Sequence, residues 1–324
     1  FSIPAGKSLS LGYRLNLQEA GAVLDYDKLS TLSEGTSASI ANISYCFAAD
    51  AIPSDWGEPF WFENRDEGLG RTGYHCLNDI KAAADDLSAH ASDPAQSEHY
   101  KLYSSLVGTG TFHLKVDGRY LDVQLLGICQ DTKTSGGKAG LTFQTKDIYA
   151  HSGIRSSAAG GGEFPCQMNP AGSKSDGWAS SAMNDALRSI FWGYLPEEVR
   201  AAVVGVDKFQ QLYGDATGSY LQKTSDETIW LPSMYEVFGT TFTYYNDSEG
   251  IPVDGYIPFQ YQAYAGNGGS EANAKAVKTY NGSASRWWLR SALRDNAEQF
   301  CIAYSDGYRG GNPASDTRGV APCF

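Results

Sequence analysis

Residues 287–324 read WWLRSALRDNAEQFCIAYSDGYRGGNPASDTRGVAPCF. In this stretch, short apolar or aromatic islands alternate with polar intervals that show no hydrophobic period. The islands are Trp287-Trp288-Leu289-Arg290-Ser291, Phe300-Cys301, Gly307 and Gly319-Val320-Ala321-Pro322-Cys323-Phe324. The pattern predicts a rigid aromatic frame that holds a chemically mixed surface, because Tyr supplies contact area, Arg supplies charged donors, and Ser, Gly and Asn adapt. Composition alone fits an ordinary set of polar loops equally well.

Upstream of this stretch, the sequence predicts a few helices. Apolar residues recur at helical spacing over residues 77–89 and again over residues 178–192. The Pro-Glu-Glu run at residues 196–198 predicts a third helix, since proline suits the first helical position and acidic residues favour the N-terminal end. Residues 233–239 contain a capping box followed by a glycine, which predicts a short helix that ends before Gly239.

Alternating sequence patterns predict antiparallel strands. Apolar and polar residues alternate on both sides of Asp117-Gly118 between residues 112 and 125. Asp-Gly tolerates positive φ, so this segment predicts a hairpin with a two-residue turn. Residues 141–145 are expected to form a third strand, and residues 286–290 and 299–303 are expected to form strands near the C terminus.

Length and charge limit the function classes. The chain has 324 residues, a length typical of about two domains. Residues 1–75 contain several turn signals and few periodic runs, so we expect an N-terminal segment of unassigned role there and one domain over residues 76–324. The formal charge of −12 argues against a nucleic-acid partner, because such affinity depends on Lys and Arg. No apolar run approaches the ~20 residues of a membrane helix, so we expect no membrane insertion.

The sequence contains no motif that specifies an enzyme. The five histidines lack the spacing of a zinc-binding helix, and neither a phosphate-binding loop nor a nucleophile elbow occurs. Asp295, Asp306 and Asp316 are too widely spaced for a calcium-binding loop of the EF-hand type. We therefore expect no catalytic residue, no metal and no cofactor.

The cysteines leave two interpretations open. No two of them have the C-x-x-C spacing, and their number is too small for a disulfide scaffold. They are either small hydrophobic residues of the core or include one or two disulfides. They are Cys46, Cys76, Cys129, Cys166, Cys301 and Cys323.

The C-terminal islands resemble the end of a C-type-lectin-like domain family that is common in gut bacteria and their phages. The Trp-Leu-Arg-Ser and Gly-Val-x-Pro motifs carry the resemblance, which extends upstream over residues 77–324. It implies an α+β protein with a C-type-lectin-like fold, in which short antiparallel sheets and a few helices are joined by long irregular loops.

Some members of that family are similar to the target proteins of diversity-generating retroelements, in which reverse transcription of a template mutates adenines at the 3′ end of the gene. In those proteins the lectin-like fold displays the altered side chains as a ligand-binding surface. The resemblance therefore implies a variable region at about residues 287–324. The ligand-binding residues that it implies are Leu293, Arg294, Asp295, Asn296, Glu298, Gln299, Ile302, Tyr304, Asp306, Tyr308, Arg309, Asn312, Ser315, Asp316 and Arg318.

The same resemblance implies the partner and the location. The expected ligand is a protein or a glycan on a cell surface, and the expected location is a phage tail or a bacterial cell surface. The sequence leaves oligomerisation open.

Two alternative functions stay open at this point. Formylglycine-generating enzymes share the lectin-like core and use a pair of cysteines, for which Cys301 and Cys323 would be the candidates. The other alternative is a structural phage or surface protein without a variable face.

Overall fold

A computed structural model divides the chain into two compact units, residues 1–82 and 83–324. The division differs by seven residues from the predicted boundary between residues 75 and 76. For residues 14–19, 22–23, 44–48, 65–66 and 71–73 only the backbone is described. The described residues are 14–19, 22–23, 44–48, 58–66, 71–172, 177–212, 221–240, 257–267, 269–293 and 296–324.

The first unit contains five short strands in its described part. Strand β1 (Arg14–Glu19) pairs antiparallel with β2 (Ala22–Val23) and with β3 (Ser44–Ala48). Strand β4 (Phe60–Asp66) pairs antiparallel with β5 (Arg71–Cys76). The boundary between the units falls within helix α1 (Leu77–Ala89), whose bounds agree with the predicted helix.

The predicted hairpin is confirmed in the second unit. Strand β6 (Phe112–Val116) pairs antiparallel with β7 (Arg119–Ile128), and β7 pairs with β9 (Leu141–Thr145). Asp117 and Gly118, which connect β6 to β7, have φ values of 48° and 74°. Positive φ at both central residues is the requirement of a type I′ turn, which matches the twist of the flanking strands.

The helix predicted over residues 178–192 begins later than expected. Ser181 is its N-cap, since the Ser181 side chain accepts a hydrogen bond from the Asn184 backbone N–H at 3.1 Å. Helix α3 (Ala182–Ala186) therefore starts at residue 182, and the buried Trp178 lies in the preceding turn. The prediction placed the start too early, because a periodic apolar residue was counted as helical although the cap residue follows it.

The remaining helical elements are short. The capping box at Ser233 and Glu236 is present, and Gly239 ends the helix with a left-handed φ of 66°, as predicted. Pro196 is the N-cap of its helix instead of the first helical residue. In the described part of the second unit, the other helices are α2 (Tyr100–Leu106), a π-helical turn (Leu187–Phe191), α4 (Trp192–Tyr194), α5 (Glu197–Ala202), α6 (Met234–Phe238) and the 3₁₀ turns Pro94–Gln96, Gln262–Tyr264 and Ala274–Ala276.

Several small antiparallel sheets complete the second unit. They comprise β8 (Thr132–Lys133) with β12 (Val206–Gln211) and β13 (Leu221–Glu227), β10 (Ala150–His151) with β11 (Ile154–Arg155), and β14 (Lys278–Tyr280) with β15 (Ser283–Ser285). With the helices above, they make the protein an α+β protein, as predicted. Among the described residues, no helix has the length and apolar character needed to cross a membrane.

The C-terminal region forms a three-stranded antiparallel sheet. Strand β16 (Trp287–Ala292) pairs with β17 (Gln299–Ala303), and β17 pairs with β18 (Arg309–Pro313), so β18 lies at one edge. The strands predicted at residues 286–290 and 299–303 correspond to β16 and β17. Strand β18 was not predicted, because its sequence Arg-Gly-Gly-Asn-Pro lacks β-branched and aromatic residues.

The aromatic frame predicted from the islands is buried. Trp287, Trp288, Phe300 and Val320 are all 0% exposed. Both indole N–H groups donate to backbone carbonyls, Trp287 to Ala276 and Trp288 to Cys166, each at 2.8 Å. Buried polar groups of this kind stabilise a fold only when they are paired, and here each ring is fixed by packing and by one hydrogen bond.

The five cysteines whose side chains are described form no disulfide. Cys76, Cys166, Cys301 and Cys323 are buried and Cys129 is half-buried. For these five residues the structure agrees with the interpretation as small hydrophobic residues. Cys46 lies outside the residues whose side chains are described.

Lys278 is a buried lysine whose ionisation makes the free energy of unfolding depend on pH. Its Nζ donates to the carbonyl oxygens of Thr145 at 2.7 Å and Lys146 at 3.0 Å. Burial penalises the ammonium and outweighs the opposing influence of Cys323 and Asp147, which lowers the pKa of Lys278 from 10.5 to about 7.

We expect the free energy of unfolding to increase as pH rises from about 7 to 10.5. Between these values the unfolded chain binds a proton at Lys278 that the folded chain does not, so a higher pH favours the folded state. Urea denaturation at several pH values measures the trend, and the difference from a Lys278→Met variant isolates this residue. Equal slopes for the two proteins in this pH range would contradict the assignment.

Candidate functional site

Most of the residues implied as ligand-binding lie at the surface. Tyr308 is 51% exposed and is the more exposed of the two tyrosines in the set. Arg294 and Asp295 lie outside the described residues. The residues of the set with exposed or half-exposed side chains are Asn296, Glu298, Gln299, Tyr304, Asp306, Tyr308, Asn312, Ser315, Asp316 and Arg318.

Two residues of the set are buried, and their prediction as displayed residues is wrong. Ile302 is 0% exposed, because it lies on the central strand β17 between Trp288 on one side and Gly310 on the other. Leu293 is 1% exposed and packs against Gly311, where an added Cβ would lie 2.6 Å from Leu293 Cδ1. Both side chains belong to the core that supports the surface.

Strand β18 divides the exposed residues between two faces of its sheet. Successive side chains of a strand point to opposite faces, and directly paired residues share a face. Arg309 pairs with Ala303, and Gln299 pairs with Pro313, so Arg309 and Gln299 lie on one face. Asn312 pairs with Phe300 and lies on the other face.

The face that carries Asn312 also carries Tyr304 and Arg286. The Tyr304 ring lies over Gly310, where an added Cβ would come within 2.0 Å of Tyr304 Cε2. Glycine at position 310 therefore leaves the space that the ring occupies. The exposed Arg286 guanidinium lies 4.5 Å from the centroid of the Tyr304 ring, within the range of a cation–π interaction.

Asn312, on the same face, belongs to a second group of polar side chains. Its Nδ2 donates to Asp316 Oδ2 at 2.7 Å, and its Oδ1 accepts from Arg318 Nε at 3.2 Å. Arg318 also pairs with Asp316 at 2.8 Å. We call Arg286, Tyr304, Asn312, Asp316 and Arg318 the Tyr304 patch.

His151 lies near the Tyr304 patch. Burial and, to a smaller extent, the positive charge of Arg318 lower the pKa of His151 below its usual 6.5. The imidazole also lies 5.5 Å from the Tyr280 ring, measured between centroids. The neutral imidazole of His151 offers one hydrogen-bond donor and one hydrogen-bond acceptor.

The opposite face is less accessible. The Arg309 side chain is only 6% exposed and pairs with Glu271 at 3.0 Å, whereas Glu271 is 69% exposed. Arg309 is therefore largely covered, which departs from the prediction that it is displayed. Asp306 lies in the adjoining turn, where its Oδ1 accepts a hydrogen bond from the Tyr308 backbone N–H at 3.1 Å.

A buried cluster of charged residues, which includes Arg290 of β16, was missed by sequence reasoning. Asp131 and Arg290 are each 1% exposed, and Lys208 and Glu236 are each 2% exposed. Arg290 binds Glu236 in a bidentate manner, with Nη2 donating to Oε1 at 2.8 Å and Nη1 donating to Oε2. Lys208 Nζ donates to Asp131 Oδ1 and, at 3.2 Å, to Glu236 Oε1. We call these four residues the charged cluster.

The charged cluster is electrically balanced and hydrogen-bonded. It contains two acidic and two basic side chains. Burial alone would raise the pKa of Glu236, but the positive charges of Arg290 and Lys208 prevail and lower it to about 2. The feature of the sequence that could have indicated the charged cluster is Arg290, a charged residue within the otherwise largely apolar island at residues 287–291.

The described residues contain no group of three or more His, Cys, Asp or Glu side chains that could hold a metal ion. Cys301 and Cys323, the pair considered for an enzyme, are both 0% exposed. Burial raises the pKa of the Cys323 thiol well above its usual value, which disfavours the reactive thiolate.

Comparison with known proteins places the chain in a family. The sequence model of one family, described as a domain of unknown function (DUF6273), matches residues 145–324, more than half of the chain. The chain belongs to the DUF6273 family. The DUF6273 match includes the whole Tyr304 patch and three residues of the charged cluster, Lys208, Glu236 and Arg290, whereas Asp131 precedes it.

The DUF6273 description assigns no function, so it adds nothing to the resemblance to C-type-lectin-like domains. No curated protein and no solved structure matches the chain.

Proposed function

We propose that the second unit is a binding module with a C-type-lectin-like fold and that the Tyr304 patch recognises a protein or glycan ligand on a cell surface. The observation that carries the proposal is that two ordered groups of side chains lie on the same side of β18. Arg286 stacks over Tyr304, and Asn312 is hydrogen-bonded to Asp316 and Arg318. All five residues are exposed or half-exposed.

The chemistry of the Tyr304 patch suits recognition. Tyr304 is a rigid aromatic surface with few rotatable bonds, and hydrogen bonds already order Asn312 and Arg318 before any ligand arrives. The patch has two arginines and one carboxylate, in a chain with a formal charge of −12. This local excess of positive charge favours a ligand that presents carboxylates or other anionic groups.

Two further parts of the proposal concern origin and location. We propose that a retroelement diversifies the C-terminal region and that the protein lies on a phage tail or on a bacterial cell surface. The support is the contrast between buried islands and exposed intervals in residues 287–324. Sequencing the neighbouring DNA tests diversification, which requires a reverse-transcriptase gene and an imperfect repeat of the 3′ end of the gene. Their absence would contradict it.

Binding to surfaces tests the patch itself. The fluorescently labelled full chain is incubated with a panel of intact gut bacteria and with a glycan array. We expect the variant Arg286→Ala/Asn312→Ala to bind about tenfold more weakly or worse, because it removes one side chain from each of the two ordered groups of the patch. Its melting temperature should stay close to that of the wild type, since both side chains reach the surface.

A matched control uses the opposite face of the same sheet. The variant Glu271→Ala/Gln299→Ala also removes one charged side chain and one amide, and it should bind like the wild type. A wild-type chain that binds no probe, or a control that loses as much binding as the patch variant, would contradict the proposal.

A further inference from the structure

Lys208 and Asp131 are held together in a way that the proposed binding function does not use. Lys208 lies on β12, and Asp131 lies between β7 and β8, at a separation of 77 residues in sequence. Lys208 Nζ donates to Asp131 Oδ1, and the same Nζ contacts Tyr261 Oη at 2.7 Å. The amine and the carboxyl group are therefore fixed beside each other within the core.

The surroundings of the Lys208 amine are aromatic and shielded from water. Its Nζ lies 4.4 Å from the centroid of the Trp230 ring, 5.2 Å from that of Tyr261 and 5.7 Å from that of Phe259. Trp230 and Tyr261 are themselves 2% and 0% exposed. In such an environment a buried ion pair is costly, and its conversion into an amide removes both charges.

We propose that Lys208 and Asp131 condense to form an intramolecular amide bond between Lys208 Nζ and Asp131 Cγ. The neutral amine attacks Cγ, the bond between Cγ and Oδ1 breaks, and Oδ1 leaves as water. The ammonium supplies both hydrogens of that water, and its third hydrogen stays on the amide nitrogen. The reaction is neither an oxidation nor a reduction, and it needs no further reactant.

The oxygen that stays on Cγ is held by two hydroxyl donors. Asp131 Oδ2 accepts from Thr142 Oγ1 at 2.6 Å and from Tyr261 Oη at 3.0 Å. Hydrogen bonds to this oxygen polarise the carbonyl and stabilise the negative charge that develops on it during attack. The two hydroxyls therefore have the same role as the donors of an oxyanion hole.

Glu236 orients the attacking amine. Its Oε1 lies 3.2 Å from Lys208 Nζ, and bidentate pairing with Arg290 and a hydrogen bond from the Ser233 backbone N–H at 2.9 Å fix its position. The protons pass directly from Lys208 Nζ to Asp131 Oδ1, to which Nζ already donates a hydrogen bond. Amide formation removes one positive charge, that of Lys208, and one negative charge, that of Asp131. The remaining charges of Glu236 and Arg290 still neutralise each other.

The geometry favours condensation over hydrolysis. Holding the two reacting groups in contact replaces a bimolecular encounter by an intramolecular step. Because Lys208 and Asp131 are 2% and 1% exposed, solvent water has little access to the amide once it has formed.

Mass spectrometry of the denatured full-length chain tests the proposal. We expect the wild type to be lighter than its sequence mass by one water molecule, and a tryptic digest to contain a branched peptide that joins the segments around Asp131 and Lys208. A wild-type chain that keeps its full sequence mass after folding and prolonged incubation would overturn the proposal and leave the cluster purely ionic. A water lost at any other pair of residues would overturn it equally.

Two variants locate the chemistry. Lys208→Arg keeps the positive charge but lacks the amine nucleophile, so this variant should show its full sequence mass; loss of water in it would contradict the assignment. Asp131→Asn should lose ammonia instead of water, and the product would have the same mass as the condensed wild type, because the two are chemically identical. The wild-type measurement decides the question even where a variant does not fold.

Discussion

Replacing Arg290 with methionine is expected to lower the free energy of unfolding of the second unit by about 3–5 kcal/mol, which is the usual cost of removing one partner of a buried ion pair. Arg290 and Glu236 are 1% and 2% exposed, so water cannot replace the lost guanidinium. Arg290 also donates to the backbone carbonyls of Phe209 at 3.1 Å and Leu231 at 3.0 Å, and these acceptors would lose their donor. Urea denaturation followed by circular dichroism measures the loss.

A double variant separates charge from packing. In Arg290→Met/Glu236→Gln no unpaired carboxylate is buried, and glutamine at position 236 can still complete the capping box with Ser233. We therefore expect the double variant to be more stable than Arg290→Met alone, which a double-mutant cycle quantifies. A free energy of unfolding of Arg290→Met within about 0.5 kcal/mol of the wild-type value would show that the ion pair between Arg290 and Glu236 does not stabilise the fold.

Replacing Trp287 with alanine is expected to be comparably severe, at about 3–5 kcal/mol. Trp287 is 0% exposed and lies on β16, where it pairs with Ala303, and its indole N–H donates to the Ala276 carbonyl at 2.8 Å. The substitution leaves a large cavity beside strand β16 of the C-terminal sheet and leaves the Ala276 carbonyl without its donor. A thermal melt and a urea titration, both followed by circular dichroism, measure the loss.

Trp287→Phe is the matched control for this prediction. Phenylalanine keeps an aromatic ring in the core but cannot donate to Ala276, so we expect an intermediate loss of about 1–3 kcal/mol from the unsatisfied carbonyl and the smaller ring. A variant Trp287→Ala that melts like the wild type would show that this residue does not belong to the frame that supports the Tyr304 patch.

The elements that sequence reasoning predicted well are those with local signals. Helix α1, the hairpin at Asp117-Gly118 and the capping box at Ser233 each depend on residues within a few positions of one another. Such signals can be recognised in a single sequence, because helix periodicity, turn chemistry and capping act within one or two turns of the chain.

The candidate site was harder to predict, because it depends on contacts between distant segments. Neighbouring members of the charged cluster are separated along the chain by 77, 28 and 54 residues. No local pattern relates them, and each one alone has the appearance of a surface residue. Leu293 and Ile302 are a different case: their apolar side chains, within otherwise polar intervals, were the signal that they are buried.

The position of β18 at the edge of its sheet has a consequence for any process that rewrites this part of the gene. Alternate codons of the strand specify opposite sides of the sheet, so a mutated segment alters the side chains of both faces at the same time. A ligand that binds one face contacts the side chains of only every second codon. The number of different surfaces that such a ligand can meet is therefore smaller than the number of altered codons implies. Selection for binding at one face would not constrain the identities of the β18 residues whose side chains lie on the opposite face.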